Sequence, residues 1–165
     1  VQCLRPHLPA ACGQAVVQGI GNASLHGRFE RIGDRPTIIL DVAHNPHSVA
    51  ELARNLNATA IAGKTRKALA VVGMLADKDI AGALRTLRGK IDVWLLASLL
   101  DTPRGASADV LREAVAGLGG QVELFAGPQE AFSRAVGLAG ENDRIAVFGS
   151  FYTVAAVMRA LARRA

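Results

Sequence analysis

A chain of 165 residues fits one domain with a sizeable core, since domains most often run roughly 100 to 150 residues. Half of it is apolar but only 4% is aromatic. That excludes a disordered chain and an aromatic-rich β-sandwich and points to an Ala/Val/Leu-packed α/β protein; no apolar run approaches the roughly 18 residues of a membrane span. The formal charge of +5, from 19 Lys and Arg against 14 Asp and Glu, gathers near Lys64 to Lys67 and Arg159 to Arg164. Without interleaved aromatic side chains, these bases read as solvated helix faces rather than a nucleic-acid groove.

The start, Val1 to Pro6, is neither a signal peptide nor an initiator methionine, so a fragment of a longer polypeptide is expected. Cys3 and Cys12 lack CxxC spacing and companion histidines, which argues against zinc or a disulfide framework and suits a reducing cytoplasm. Residues 8–23 carry Ala15, Val16 and Ile20 at loosely helical spacing, and residues 1–24 are expected to be a linker or docking helix from a preceding domain. Residues 25–32 alternate as a strand does, and residues 33–36 have turn chemistry. That strand should lie antiparallel to a buried one at 37–42.

From there the pattern repeats. A helix at 46–57 places Val49, Leu52, Ala53 and Leu56 on one face. A strand at 68–73 precedes a helix at 79–88 with Ile80, Ala83, Leu84 and Leu87. A strand at 91–97, with Trp94 as core, precedes a helix at 107–118 with Val110, Leu111, Ala114, Val115 and Leu118. Strand 121–125, helix 128–139, strand 144–148 and helix 151–163 complete the chain. Five β-then-α units require helical crossovers between parallel neighbours. The expected fold is a Rossmann-like three-layer α/β domain over 25–165: about six strands, mostly parallel, an antiparallel N-terminal edge strand, and helices on both faces.

In such a sheet ligands bind outside the carboxyl ends of the strands. The turns 41–45, 73–79, 98–107, 126–128 and 149–151 should therefore gather on one edge. The richest is Asp41-Val-Ala-His-Asn-Pro46. Asp41 ends a strand, His44 is titratable, Asn45 is a good N-cap and Pro46 suits the first helical position. The N–H groups that follow are expected to face an anion. Lys78 lies beside Asp77 and Asp79, either in the site or as cap and solvated surface. Arg104, in a Pro-Arg-Gly turn, is either a clamp for a carboxylate or phosphate or a surface arginine. Ser150 follows Gly149 as an N-cap, in a site or in an ordinary turn. His26 and His47 attract no role. Gly63-Lys64-Thr65 is not a phosphate loop, because Ala58 stands where the first glycine is needed, and Gly19-Ile-Gly21 lacks a third glycine.

Taken in order, Gly27-Arg-Phe-Glu30, Asp41-Val-Ala-His-Asn-Pro46, Gly73-Met-Leu-Ala-Asp-Lys-Asp-Ile80, Pro103-Arg-Gly-Ala106 and Gly149-Ser-Phe-Tyr-Thr-Val154 resemble the C-terminal domain of bacterial bifunctional dihydrofolate synthase/folylpolyglutamate synthase, in the Mur ligase superfamily. The resemblance implies a reaction. ATP phosphorylates a pteroate or folate carboxylate, and the amine of L-glutamate attacks the acyl phosphate. It also implies that the P-loop and the Mg²⁺ ligands lie in an N-terminal domain, with no metal ligands in this chain. This domain would close over ATP and be inactive alone. Arg28 and Asp41 would contact ATP, His44 would lie near the transferring phosphoryl group or incoming glutamate, and Ser150 on the glutamate side. Asn45, Lys78 and Arg104 would support them. The implied partners are ATP, L-glutamate, dihydropteroate or folate and the protein's own N-terminal domain, with no nucleic acid and no membrane, in a cytoplasmic enzyme monomeric at full length. Two positions depart from the family: His26 stands where many relatives have proline, and Tyr152 where histidine is common. The alternative is a non-catalytic nucleotide-sensing or protein-docking module of the same doubly wound fold.

Overall fold

The structure, a computed structural model, describes residues 13–21, 25–58 and 67–163. Both cysteines, the Gly63-Lys64-Thr65 segment and Arg164 lie outside the described residues. The first element is α1 (Gly13–Gly21), in which Val17 is 71% exposed; the rest of the helix expected at 8–23 lies outside the described residues. β1 (Glu30–Asp34) and β2 (Thr37–Leu40) form an antiparallel hairpin. The remaining elements alternate: α2 (Pro46–Ala58), β3 (Ala68–Val72), α3 (Ile80–Arg85), β4 (Val93–Ala97), α4 (Ala108–Val115), β5 (Gln121–Phe125), α5 (Pro128–Leu138), β6 (Arg144–Phe148) and α6 (Phe151–Ala162).

The sheet runs β1-β2-β6-β3-β4-β5, parallel except at the β1–β2 edge. Sides follow from the period-2 alternation of strand side chains. Ile39, Ala70, Val72, Trp94, Leu96 and Phe148 face α2, α3 and α4, whereas Leu40, Leu69, Val71, Leu95, Ile145 and Val147 face α5 and α6. Strands covered on both faces must be continuously apolar, and β4 is buried at all five positions. All four apolar residues read on α2 and all four read around α3 are buried. Each buried Val, Leu or Ile among them contributes about 1.5–3 kcal/mol before the entropy of ordering is counted, and each alanine less. Trp94 is fully buried and its indole N–H donates to the Gly119 carbonyl at 2.8 Å.

Some details differ from the reading of the sequence. The strand expected at 25–32 begins only at Glu30. Gly27 (φ 68°) and Phe29 (φ 47°) bend the chain, and the Arg28 N–H closes a turn on the Leu25 carbonyl. The helix expected at 79–88 ends at Arg85 and continues as i→i+3 turns through Lys90, which still carry Leu87 into the core. In α4, Val110 is 44% exposed, because β5 is an edge strand and leaves that side of the helix uncovered.

Topology sets where the site falls. β6 lies between β2 and β3, yet its helix packs on the opposite face from theirs. Leu40 is level with Val147 and Val72 with Phe148, so three chains leave the sheet at one height and part in different directions. A crevice must open there.

Candidate functional site

Asp41 is the first residue beyond β2. Its Oδ1 accepts the Ala43 N–H at 2.7 Å and its Oδ2 the Phe29 N–H at 2.9 Å. The carboxylate thus ties the Gly27–Phe29 turn to the end of β2, and the Val42 N–H adds a bond to the Gly27 carbonyl at 2.8 Å. Burial pushes the Asp41 carboxyl above its ordinary value, against the pull of the Ala43 and Phe29 N–H groups and of the Arg28 charge. On the far side of the turn Glu30 accepts the Gly27 N–H at 2.8 Å and pairs with His26. That N–H and that imidazole hold the Glu30 carboxyl below its ordinary value. Arg28 projects from the apex of this braced turn, exposed, with its guanidinium carbon 5.8 Å from the centre of the Phe151 ring.

The imidazole of His44 is oriented by its own turn. Nδ1 lies 2.7 Å from the Val42 carbonyl oxygen. A carbonyl can only accept, so Nδ1 carries a proton, and in the neutral ring Nε2 is the acceptor. Asn45 caps α2 as read: its Oδ1 accepts the Ser48 N–H at 2.9 Å. Of the N–H groups after Pro46 that were expected to face an anion, those of Ser48 and Val49 instead donate to Asn45. Ser48 Oγ accepts the N–H groups of both His44 and Asn45, at 3.1 and 3.2 Å, and the Val49 N–H returns to the Asn45 carbonyl. Ser48, a residue not singled out in the sequence, thus braces the turn that leads into α2.

Beyond β6, Gly149 has φ 113°, and a Cβ there would lie 2.5 Å from the Gly73 carbonyl oxygen. Only glycine lets the β3 and β6 exits come this close. Thr153 on the first turn of α6 donates its hydroxyl to the same Gly73 carbonyl at 2.8 Å. Ser150 Oγ, 4% exposed, accepts the Thr153 N–H at 3.1 Å and lies 2.8 Å from Thr153 Oγ1. Because the Thr153 proton points at Gly73, the Ser150 proton must point at Thr153. Ser150 is therefore a buried cap with one lone pair to offer.

A cleft of ≈ 200 Å³ occupies the crevice, lined by His44, Leu75, Lys78, Gly149, Ser150, Phe151 and Tyr152. It is bounded by the turns after β2, β3 and β6. The turn after β4 takes part indirectly. Leu75 and Gly105 form an antiparallel bridge, the Ala76 N–H donates to the Arg104 carbonyl at 2.7 Å, and the Ala106 N–H to the Met74 carbonyl at 3.0 Å. Arg104, with φ 62°, turns its guanidinium to Asp77 at 2.6 Å. Lys78 stands 3.8 Å from the same carboxylate oxygen. Asp79 caps α3 by accepting the Gly82 N–H. The turn 126–128 lies beside edge strand β5, on the other side of β4 from the cleft-lining turns. A wider depression of ≈ 560 Å³, lined by Lys67, Asp92, Gly120 and Gln121 among others, lies at the opposite edge of the sheet. There the Asp92 carboxylate accepts the Ala68 N–H.

Of the residues singled out in the sequence, His44, Lys78 and Ser150 line one cleft. Arg28 and Asp41 adjoin it on the β1 side, Asn45 caps the helix behind it, and Arg104 braces it from outside. Thr153, Phe151 and Leu75 were missed: nothing local distinguishes a core threonine or an exposed phenylalanine from any other. Among the described residues no cluster of three or more His, Cys, Asp or Glu side chains could hold a metal ion, and no described helix is long and apolar enough to cross a membrane.

A doubly wound α/β domain with a cleft at its topological switch point, lined by an imidazole and an ammonium, belongs to the class of folds whose ligands bind between sheet exits. The chain belongs to the Mur ligase family as its glutamate ligase domain, which matches residues 27–151. It is 41% identical over 150 residues to the dihydrofolate synthase/folylpolyglutamate synthase of Escherichia coli strain K12, covering 91% of this chain and 34% of that protein. The structure of E. coli FolC in complex with DHPP and ADP superposes with a TM-score of 0.81 at 40% identity, over 93% of this chain and 36% of that one. That of the Yersinia pestis bifunctional folylpolyglutamate synthase/dihydrofolate synthase with AMPPNP and Mn ion gives 0.78 at 44% identity, over 92% and 35%. The chain spans about a third of the length of these relatives.

Proposed function

We propose that this chain is the C-terminal domain, over 25–165, of an ATP-dependent ligase that joins L-glutamate to dihydropteroate or folate, and that residues 1–24 link it to an N-terminal ATPase domain. The observation that carries the reading is the 41% identity to a dihydrofolate synthase/folylpolyglutamate synthase across 91% of the chain. In this reaction the γ-phosphoryl group of ATP passes to a carboxylate oxygen, releasing ADP. The glutamate amine then attacks the acyl carbon, phosphate leaves with the C–O bond electrons, and the amine loses a proton. Mg²⁺, held by the preceding domain, spreads the phosphate charge.

The chain's own residues suit the second half of such a site. Arg28 offers an exposed guanidinium for phosphate oxygens. Both Asp41 oxygens are anchored by backbone N–H groups, and each keeps a lone pair for a hydroxyl such as a ribose presents. His44 Nε2 can accept a proton or hydrogen bond from the attacking amine. Ser150 has only a lone pair to give, which suits an ammonium or amine N–H rather than a carboxylate. Lys78 places positive charge across the cleft. The enzyme acts in the cytoplasm as a monomer.

The test uses the full-length protein that carries this domain. It should form product only with ATP, glutamate and a pteroate or folate together, whereas the 165-residue chain alone should form none. Arg28→Ala or Asp41→Ala should raise the KM for ATP more than that for the folate substrate. Unchanged ATP dependence in both variants would overturn the site assignment.

A further inference from the structure

We propose that Phe151 is a positioning residue for Arg28, holding its guanidinium at the mouth of the cleft through the face of its ring. Three observations carry this. Phe151 is the first residue of α6 and is 60% exposed, although an aromatic ring gains little by standing in water. The Arg28 guanidinium carbon lies 5.8 Å from the ring centre, within reach of a cation–π attraction. Among the described residues Arg28 forms no ion pair with a carboxylate; the Asp41 carboxyl feels its charge only from a longer distance, which leaves the ring as the near partner of a long side chain.

Both ends of the contact are anchored. Arg28 sits between Gly27 and Phe29, each at positive φ, in a turn bonded to Asp41 and Glu30. Phe151 directly follows Ser150, whose buried bonds to Thr153 fix the first turn of α6. Phe151 also lines the cleft. It therefore adjoins the guanidinium and the cleft at once. Holding an arginine in place before its ligand arrives removes part of the ordering cost of binding, and that gain appears as affinity rather than as rate.

This proposal rests on the reading of Arg28 as a contact to the nucleotide phosphates, and its test separates the two. In the full-length protein, Phe151→Leu keeps apolar bulk and removes the π face. It should raise the KM for ATP about two- to five-fold, the range of an exposed cation–π pair, and leave kcat and the KM for glutamate unchanged. Phe151→Tyr, which keeps the face, should restore the wild-type KM. In an Arg28→Ala background, Phe151→Leu should add nothing. If Arg28→Ala raises the KM for ATP and Phe151→Leu does not, or if the two effects multiply, the positioning role is wrong while the nucleotide reading stands. If Phe151→Leu instead moves kcat or the KM for glutamate, the ring acts only as cleft wall, and the proposal is again overturned. If Arg28→Ala leaves the KM for ATP unchanged, the nucleotide reading itself fails and the proposal falls with it.

Discussion

The Nδ1 of His44 lies 2.7 Å from the carbonyl oxygen of Val42, two residues back along the same turn. Because that oxygen can only accept, the bond selects the Nδ1–H tautomer of the neutral ring in a residue that lines the cleft. His44→Asn should keep a donor near Val42 while removing the second nitrogen. Stability should change little, and kcat of the full-length protein should fall about 10²- to 10⁴-fold, the usual scale of lost general acid–base help. Urea unfolding and steady-state kinetics on the same variant check both halves.

Asp41 engages a backbone N–H with each oxygen. Asp41→Asn would turn an amide NH₂ toward one of these donors and leave it unpaired, a loss of about 1–3 kcal/mol in unfolding free energy. The pH dependence has a definite sign. The folded-state pKa is raised, chiefly by burial. The stability from this carboxyl is therefore fully present below the ordinary carboxylate value and is lost as pH rises through the raised one. Glu30 runs the other way. Its carboxyl is depressed, first by the Gly27 N–H and then by His26, so its stability is present above the ordinary value and is lost as pH falls through the lowered one. Over about pH 3 to 7, Asp41→Asn should remove the first trend and Glu30→Gln the second, as read by urea midpoints.

Ser150→Ala removes the α6 cap and the proton given to Thr153. A loss of about 0.5–2 kcal/mol is expected, as for other N-cap deletions. Ser150→Asp should recover part of it by accepting the Thr153 N–H. Differential scanning calorimetry distinguishes the three proteins.

Gly149→Ala and Gly117→Ala form a matched pair. Both glycines have positive φ, 113° and 73°, but a Cβ at 117 meets open space while one at 149 lies 2.5 Å from the Gly73 carbonyl oxygen. The change at 117 should cost about 1–2 kcal/mol, for conformation alone. At 149 the cost should be clearly larger, and ligand affinity should fall with it, because the β3 and β6 exits must separate. Chemical denaturation of both variants gives the comparison.

Arg104→Ala frees Asp77 from its 2.6 Å partner. The pair is solvent-exposed, so stability should drop by no more than about 1 kcal/mol, and less in high salt. Unfolding at low and high ionic strength measures this. Were Arg104 itself a ligand clamp, Arg104→Ala would instead weaken binding with stability intact.

Local spacing made the scaffold readable. Val49, Leu52, Ala53 and Leu56 recur at helical intervals. The caps at Asn45, Asp79 and Ser150 act on N–H groups three residues away. The β-then-α alternation leaves a parallel sheet as the outcome, and with it the edge where polar turns converge. Only the tertiary structure decided what each polar atom is free to do. Asp41 binds Phe29 across 12 positions, Arg104 binds Asp77 across 27, and Thr153 reaches Gly73 across 80. Such pairings depend on which strands become neighbours, and insertion of β6 between β2 and β3 is invisible to any short-range period. His44, Lys78 and Ser150 were therefore legible from the chain, while Leu75 and Phe151 beside them, and the lone pairs and charges left available there, were settled by packing.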